Sequence, residues 1–432
     1  MSTHPLKNKL FAWCLYDWAN SGFATVILAA VLPVYIVNLI PDAGVPLPWT
    51  TQPLPATAFW GYTVSFSMMI VALAAPLLGQ LADQNSWRQR MLALFCLLGA
   101  CSTAALSLTN AGGYMLTALL FVIGNIGFAA GNIFYNAYLK NLAHGTEADR
   151  LSSRGYAFGY LGGGLLLLIV FLIIQKFSWF GFSDMGQATR ASFLLTGTWW
   201  LLFAIPALVT LGDKNTPAPD VHIRGVFKRY RTTLAKVMQH RELRLFLIAF
   251  LLYNDGIQTI IAISAVFARD ELQLSQTTIL GCFLLIQFLA TPGALFFGRL
   301  AEKFGAKRCV ILSLMVFTGI TAYASQMSTA AEFWGLGIAV ACVLGGSQAL
   351  SRSLFVRMVP ENSSSEFFAC FAISSKFASI FGPLLVAVLI HLSGSSRLAI
   401  LSLASFFILG LLLLARVDVD AGARRAQQGS AP

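Results

Sequence analysis

The chain has 432 residues, of which 57% are hydrophobic and only 11% charged, whereas soluble domains carry roughly 25% charged residues. Apolar runs recur along its whole length and leave no polar stretch long enough to fold separately, so a single membrane domain is expected rather than two or three soluble ones. The formal charge of +11 would suit nucleic acid, but all 29 Lys and Arg except Lys176, Arg190, Arg269 and Arg397 lie in one set of alternate loops or in the helix portions next to them. By the positive-inside rule that split places both termini in the cytoplasm, and nucleic-acid binding is not needed to explain the charge.

Spanning hydrocarbon takes about 20 helical residues. The first apolar segment, 10–39, is much longer than the core of a cleaved signal peptide and carries Asp17, so it is expected to be a membrane helix. Pro41, Pro46, Pro48, Pro53 and Pro55 then suit an extended lid. The second helix, 56–82, runs into Gly79-Gln80-Leu81-Ala82-Asp83, and Arg88 and Arg90 lead into the third, 90–109. The fourth, 113–139, carries Asn125, Asn132 and Asn136 on one face. Gly155, Gly159, Gly162, Gly163 and Gly164 in the fifth, 153–175, are expected to allow close packing, and the sixth is 190–211.

The linker 212–243 gathers Val226, Phe227, Tyr230, Leu234, Val237 and Met238 near one helical face, with Lys228, Arg229, Arg231 and Lys236 on the remainder. An amphipathic helix on the anionic inner leaflet or a solvated basic linker both fit this pattern. Six further helices are expected at 244–268, 276–300, 307–326, 333–357, 367–391 and 397–415, before a cytoplasmic tail at 416–432. Two segments recur between the halves. Leu15-Tyr16-Asp17 is echoed by Leu252-Tyr253-Asn254-Asp255, and the Gly79 loop by Gly298-Arg299-Leu300-Ala301-Glu302 followed by Lys303, Lys307 and Arg308. The expected architecture is therefore all-α, with twelve transmembrane helices in two pseudo-symmetric six-helix bundles, 1–211 and 244–415.

Charge inside a bilayer is costly and marks functional candidates. At about 1.5 Å per residue, Asp17 lies roughly 12 Å beyond Lys9 and Asp255 roughly 16 Å beyond Arg244; Arg352 and Lys376 fall at a similar depth. Carboxylates and bases together suit a zwitterion such as an amino acid, with ammonium on Asp17 or Asp255 and carboxylate on Arg352 or Lys376. The four could instead pair with one another as a gate or scaffold, or an Asp could carry a proton. Tyr16 and Asn20, Asn254 and Gln258, and Asn132 and Asn136 each repeat a four-residue spacing that suits cavity lining or ties between helices.

The Gly79-to-Asp83 loop with its following Arg residues resembles the hallmark between helices two and three of the major facilitator superfamily. Its Asp83 and Arg88 or Arg90, with Glu302, Lys307 and Arg308 in the second copy, would serve as charge latches between access states; Gly79 and Gly298 would permit close approach. Gln84, Asn85 and Ser86 stand where a basic residue often begins the run, which implies a weaker latch. Tyr16-Asp17-Trp18-Ala19-Asn20-Ser21, Tyr253-Asn254-Asp255-Gly256, Pro292-Gly293-Ala294, Gly345 to Ser353 (including Gln348 and Arg352), Glu366-Phe367-Phe368, Lys376 and Gly382-Pro383 resemble the unknown major facilitator family. Relatives of that family include autophagy-related vacuolar amino-acid effluxers. The resemblance implies alternating access and a small-molecule solute, with protons as a candidate coupling ion and no cofactor.

Enzyme chemistry is not expected. His4, His144, His222, His240 and His391 lie in loops or at helix ends, and the seven cysteines sit in apolar segments without a metal-type pair. A phosphate-binding loop of nucleotide-driven pumps is missing. A non-transporting receptor or scaffold on the same architecture is the alternative to a transporter.

Overall fold

The computed structural model describes the backbone of residues 4–46, 53–83, 85–110, 112–143, 146–211, 235, 238–358, 371, 374, 377 and 379–428. Leu-, Ala-, Phe- and Val-rich runs become helices because a lipid-embedded backbone must satisfy its own N–H and C=O groups. In chain order these are α1 (His4–Gly22), α2 (Leu32–Leu39), α3 (Ala56–Asp83), α4 (Asn85–Ala105), α5 (Tyr114–Leu142), α6 (Thr146–Gln175) and α7 (Met185–Thr210). There follow α8 (Arg241–Asp270), α9 (Gln276–Phe304), α10 (Ala306–Ala324), α11 (Ala330–Arg357), α12 (Phe381–Ser393), α13 (Ser396–Ala415) and α14 (Val419–Gln428). Among the described residues, ten helices are long and apolar enough to cross a membrane. An eleventh crossing is the bent pair Asn8–Ala30 and Leu32–Leu39, and α12 is a shorter apolar helix of 13 residues. These segments correspond to the twelve expected spans, and Leu73, Val209 and Leu392 on their exposed faces suit contact with lipid.

Two expected spans differ in detail. Segment 10–39 is not one helix: Phe23–Ala30 is π-helical and the axis bends by 41° before α2. Pro33 has no N–H to return to the preceding turn, and Val31 N donates five residues back, to the Val26 carbonyl at 2.8 Å. In segment 367–391, Pro383 has no N–H for the Ser379 carbonyl; the backbone turns at Ser379–Ile380 and α12 starts at Phe381. The proline-rich first loop is closed by an antiparallel bridge between Val45 and Leu54. Most of the linker 212–243 and its amphipathic face lies outside the described residues.

The chain forms two compact units, one of Met1–Val221 with Ile261–Phe288, the other of His222–Ile260 with Leu289–Pro432. The first unit thus takes in the far part of α8 and the near part of α9. Within it α1 packs on α6 and α7, and α4 on α5 and α7. The glycines of α6 allow this approach: a Cβ at Gly155 would strike Trp13, at Gly159 Ser21, at Gly162 Trp18 and at Gly163 Thr25. In the second unit α10 packs on α11 and α13, and α12 on α13. The tail helix α14 is tied down at its start: Asp418 N–H donates to Glu242 at 2.7 Å, and the Asp418 carboxylate accepts from Ala421 N–H at 2.9 Å. That amide holds the Asp418 carboxyl below its ordinary value.

Candidate functional site

In the first unit α1 carries the polar line. Tyr16 is fully buried and stacks on Tyr135 of α5 at 5.0 Å; Trp13 stacks on the same ring at 4.5 Å and donates its indole N–H to the Tyr135 carbonyl at 3.1 Å. One turn beyond Tyr16, Asn20 Nδ2 donates to Asn132 Oδ1 at 2.8 Å. Asn125 donates to Ser67 Oγ at 2.7 Å, so it ties α5 to α3, while Asn136 is exposed. The shared face read from the asparagine spacing therefore contains three different environments.

Asp17 is half-buried against α6, where two glycines leave room for it. A Cβ at Gly155 would stand 3.2 Å from Asp17 Oδ2, and one at Gly159 would stand 3.5 Å from Cγ. The α6 glycines thus let the Asp17 side chain, and not only the apolar face of α1, pack against the α6 backbone. Further along, the π-helical turn presents Thr25, whose Oγ1 accepts from Gln287 Nε2 at 2.6 Å. Helical π segments recur at functional positions because the widened turn shifts side chains out of ordinary register. Gln287 and Thr25 were missed in the sequence, although a lone amide in an apolar helix is the signal that singled out Asn20.

In the second unit Tyr253 donates to Ser351 Oγ at 2.7 Å, and Ser351 in turn donates to the Ser347 carbonyl at 2.6 Å. Asn254 and Asp255 are buried, and Thr259 Oγ1 donates to the Asp255 carbonyl at 2.6 Å. Gln258, Gln348 and Arg352 are half-buried, and Lys376 lies outside the described residues.

The latch residues separate in the same way. The side chains of Asp83 and Glu302 lie outside the described residues, as do the surroundings of Gly79 and Gly298. Arg88 is buried with its guanidinium 5.0 Å from the centre of the Tyr138 ring, whereas Arg90 and Arg308 are exposed. Lys307 donates to the carbonyls of Ala415 at 2.8 Å and Val417 at 2.7 Å, satisfying the end of α13. At the opposite helix ends of the first unit, Thr57 donates to Asp270, Trp60 Nε1 to the Ala262 carbonyl at 2.7 Å, and Arg269 Nε to Asn38 Oδ1 at 3.1 Å. This cluster was also missed: Thr57 and Asp270 are 213 residues apart, beyond any spacing argument.

The profile of a family described as "Vacuole effluxer Atg22 like" matches residues 6–148 and 140–427. An uncharacterized MFS-type transporter, YxiO of Bacillus subtilis (strain 168), is 34% identical over 420 residues, covering 96% of each chain. Autophagy-related protein 22-1 of Neosartorya fischeri is 24% identical over 97% of this chain and 91% of its own. Two solved structures share the fold at 14% identity. They are a bacterial homologue of the human lysosomal transporter Spinster (TM-score 0.67, 100% of both chains) and the nucleoside transporter NupG (TM-score 0.66, 95% of this chain and 99% of that one).

Proposed function

The chain belongs to the Atg22-like vacuole effluxer family of MFS-type transporters, and from that premise we propose that it exports a small solute bearing an ammonium group, an amino acid, by proton-coupled alternating access. The relatives are described as transporters or effluxers rather than enzymes. The observation that supports the solute class is the position of Asp17. A half-buried carboxylate packed against Gly155 and Gly159 lies one turn from the Asn20–Asn132 amide pair, with the Thr25–Gln287 pair beyond. A carboxylate takes an ammonium group with a charge-assisted hydrogen bond, and neighbouring amides accept or donate to the rest of a small polar molecule.

The charge split supports an orientation with both termini cytoplasmic, and the Bacillus subtilis relative supports a bacterial inner membrane as the location. In the same scheme 1–211 and 244–415 act as the two moving halves, 212–243 lies on the inner leaflet, and 416–432 is a cytoplasmic tail. Contacts of Thr57 with Asp270 and of Trp60 with Ala262 hold the non-cytoplasmic helix ends in one access state.

The solute class is tested by heating the purified protein with candidate compounds. A ligand at 100 times its Kd stabilises the folded state by about 2.7 kcal/mol. Amino acids are expected to raise the melting temperature, while their N-acetyl derivatives, sugars and nucleosides leave it unchanged. Stabilisation by N-acetyl derivatives equal to that of the free amino acids would remove the ammonium from the account.

A further inference from the structure

We propose that Asp255 is a proton-binding site seated against the start of the half-length helix α12, so that protonation controls the grip between α8 and α12. The inference rests on the transport reading and supplies its coupling ion with a place.

Helix α12 has 13 residues, about 20 Å at 1.5 Å per residue, whereas the hydrocarbon core is about 30 Å thick. Its far end is the Ser393–Gly394 turn, so its first turn falls inside the membrane. Asp255 lies roughly 22 Å along α8 from its end at Asp270, which puts the carboxylate at the same depth. The start is internal because Pro383 interrupts the hydrogen-bond ladder and the Ile380 amide turns instead to the Phe377 carbonyl at 3.2 Å.

The two elements touch at Gly382. A Cβ there would stand 3.0 Å from Asp255 Oδ1 and would collide with the Thr259 hydroxyl, so glycine is what lets the helix start approach. The Gly382 amide faces the carboxylate without completing hydrogen-bond geometry, and among the described residues neither oxygen of this fully buried side chain has a hydrogen-bond partner. Among the described residues, the backbone that faces the carboxylate is therefore the start of α12, the positive end of its dipole.

The surrounding groups leave that balance open. On α8, Tyr253 is committed to Ser351 and the Thr259 hydroxyl to the Asp255 backbone carbonyl. From α13 come Phe407, against Gly256, and Gly410, against Tyr253. The start of α12 offers Phe381, Gly382 and Pro383, none of which titrates. On α11, Ser351 faces Tyr253, and the next residue, Arg352, is half-buried and has its own interactions. Lys376 precedes α12 but lies outside the described residues.

An ionised carboxylate removed from water without a counter-ion costs several kcal/mol. One proton removes that cost, while the helix dipole offsets part of it in the ionised form, so both forms are within reach. A full salt bridge would instead fix the group as an anion. Ionised Asp255 draws the start of α12 onto α8; protonated Asp255 releases it. Half-helix ends at the membrane midplane serve ion and solute sites in other transporter folds by the same electrostatics.

The test is infrared spectroscopy of the full-length protein in lipid vesicles, comparing acidic with alkaline buffer. A protonated carboxyl free of hydrogen bonds absorbs at higher frequency than a solvated one. The wild type is expected to show that band in acid and lose it in alkali. Asp255→Asn should lack it, Asp17→Asn keep it, and Asp255→Glu, which retains a carboxyl, restore a band. A band that survives Asp255→Asn overturns the proposal, and so does one that sodium removes at constant pH. Stabilisation of the wild type by amino acids reports on the solute reading separately, so either conclusion can fail alone.

Discussion

Asp17→Asn is expected to weaken amino-acid export from proteoliposomes by roughly 10- to 100-fold, seen mainly as a higher half-saturating concentration. Hydrogen bonds to charged groups contribute about 1.5–3 kcal/mol, and 1.4 kcal/mol is tenfold in affinity. Asn keeps the size of Asp, so the packing against Gly155 and Gly159 should be retained and the Asn20–Asn132 pair should keep its 2.8 Å contact. The variant removes the charge while keeping the side chain's size, and the purified variant should still fold, with a wild-type helical circular-dichroism spectrum. Wild-type kinetics in this variant would take the carboxylate out of solute recognition.

Gly127→Leu is expected to cost at least about 3 kcal/mol of stability, at the upper end of the usual overpacking penalty. A Cβ at Gly127 would stand 2.5 Å from both Cα and N of Gly99 and 2.7 Å from the Phe95 carbonyl oxygen. These are backbone atoms of α4, so no rotamer change relieves the clash. Gly99 cannot retreat either, because its own Cβ position is filled by the ring of Trp200 from α7. The whole α4–α5–α7 contact would have to open. At about 2–4 °C per kcal/mol for domains of this size, the variant should melt roughly 10 °C lower in detergent or fail to yield folded protein. Gly319→Leu is the matched control, since nothing lies within 4 Å of its Cβ position. Equal melting of the two variants would contradict the packing argument.

Much of the fold could be read from the chain because each span is a long apolar run with turn or charge signals at its ends. The spacing singles out Asn20 and Asn132 separately, as cavity lining or as ties between helices, and does not pair them; the structure joins the two at 2.8 Å. Residue spacing was silent wherever the outcome depended on which of two prolines breaks which ladder. Pro33 yields a π-helical stretch and a 41° bend, whereas Pro383 yields a break at Ser379–Ile380, between the helical residues 371, 374 and 377 and the start of α12. Long-range pairs were equally hidden: Thr25 meets Gln287 and Thr57 meets Asp270 only after more than two hundred intervening residues are folded. Lys307, expected in a charge latch, caps the end of α13 through two carbonyls, a role set by where that helix stops.

Transport itself is measured most directly with purified protein in liposomes loaded with a radiolabelled amino-acid mixture under an imposed pH gradient. The account predicts release that exceeds that of empty liposomes, responds to the gradient and falls in Asp17→Asn. Release no faster than from protein-free liposomes, at any pH gradient, would contradict it.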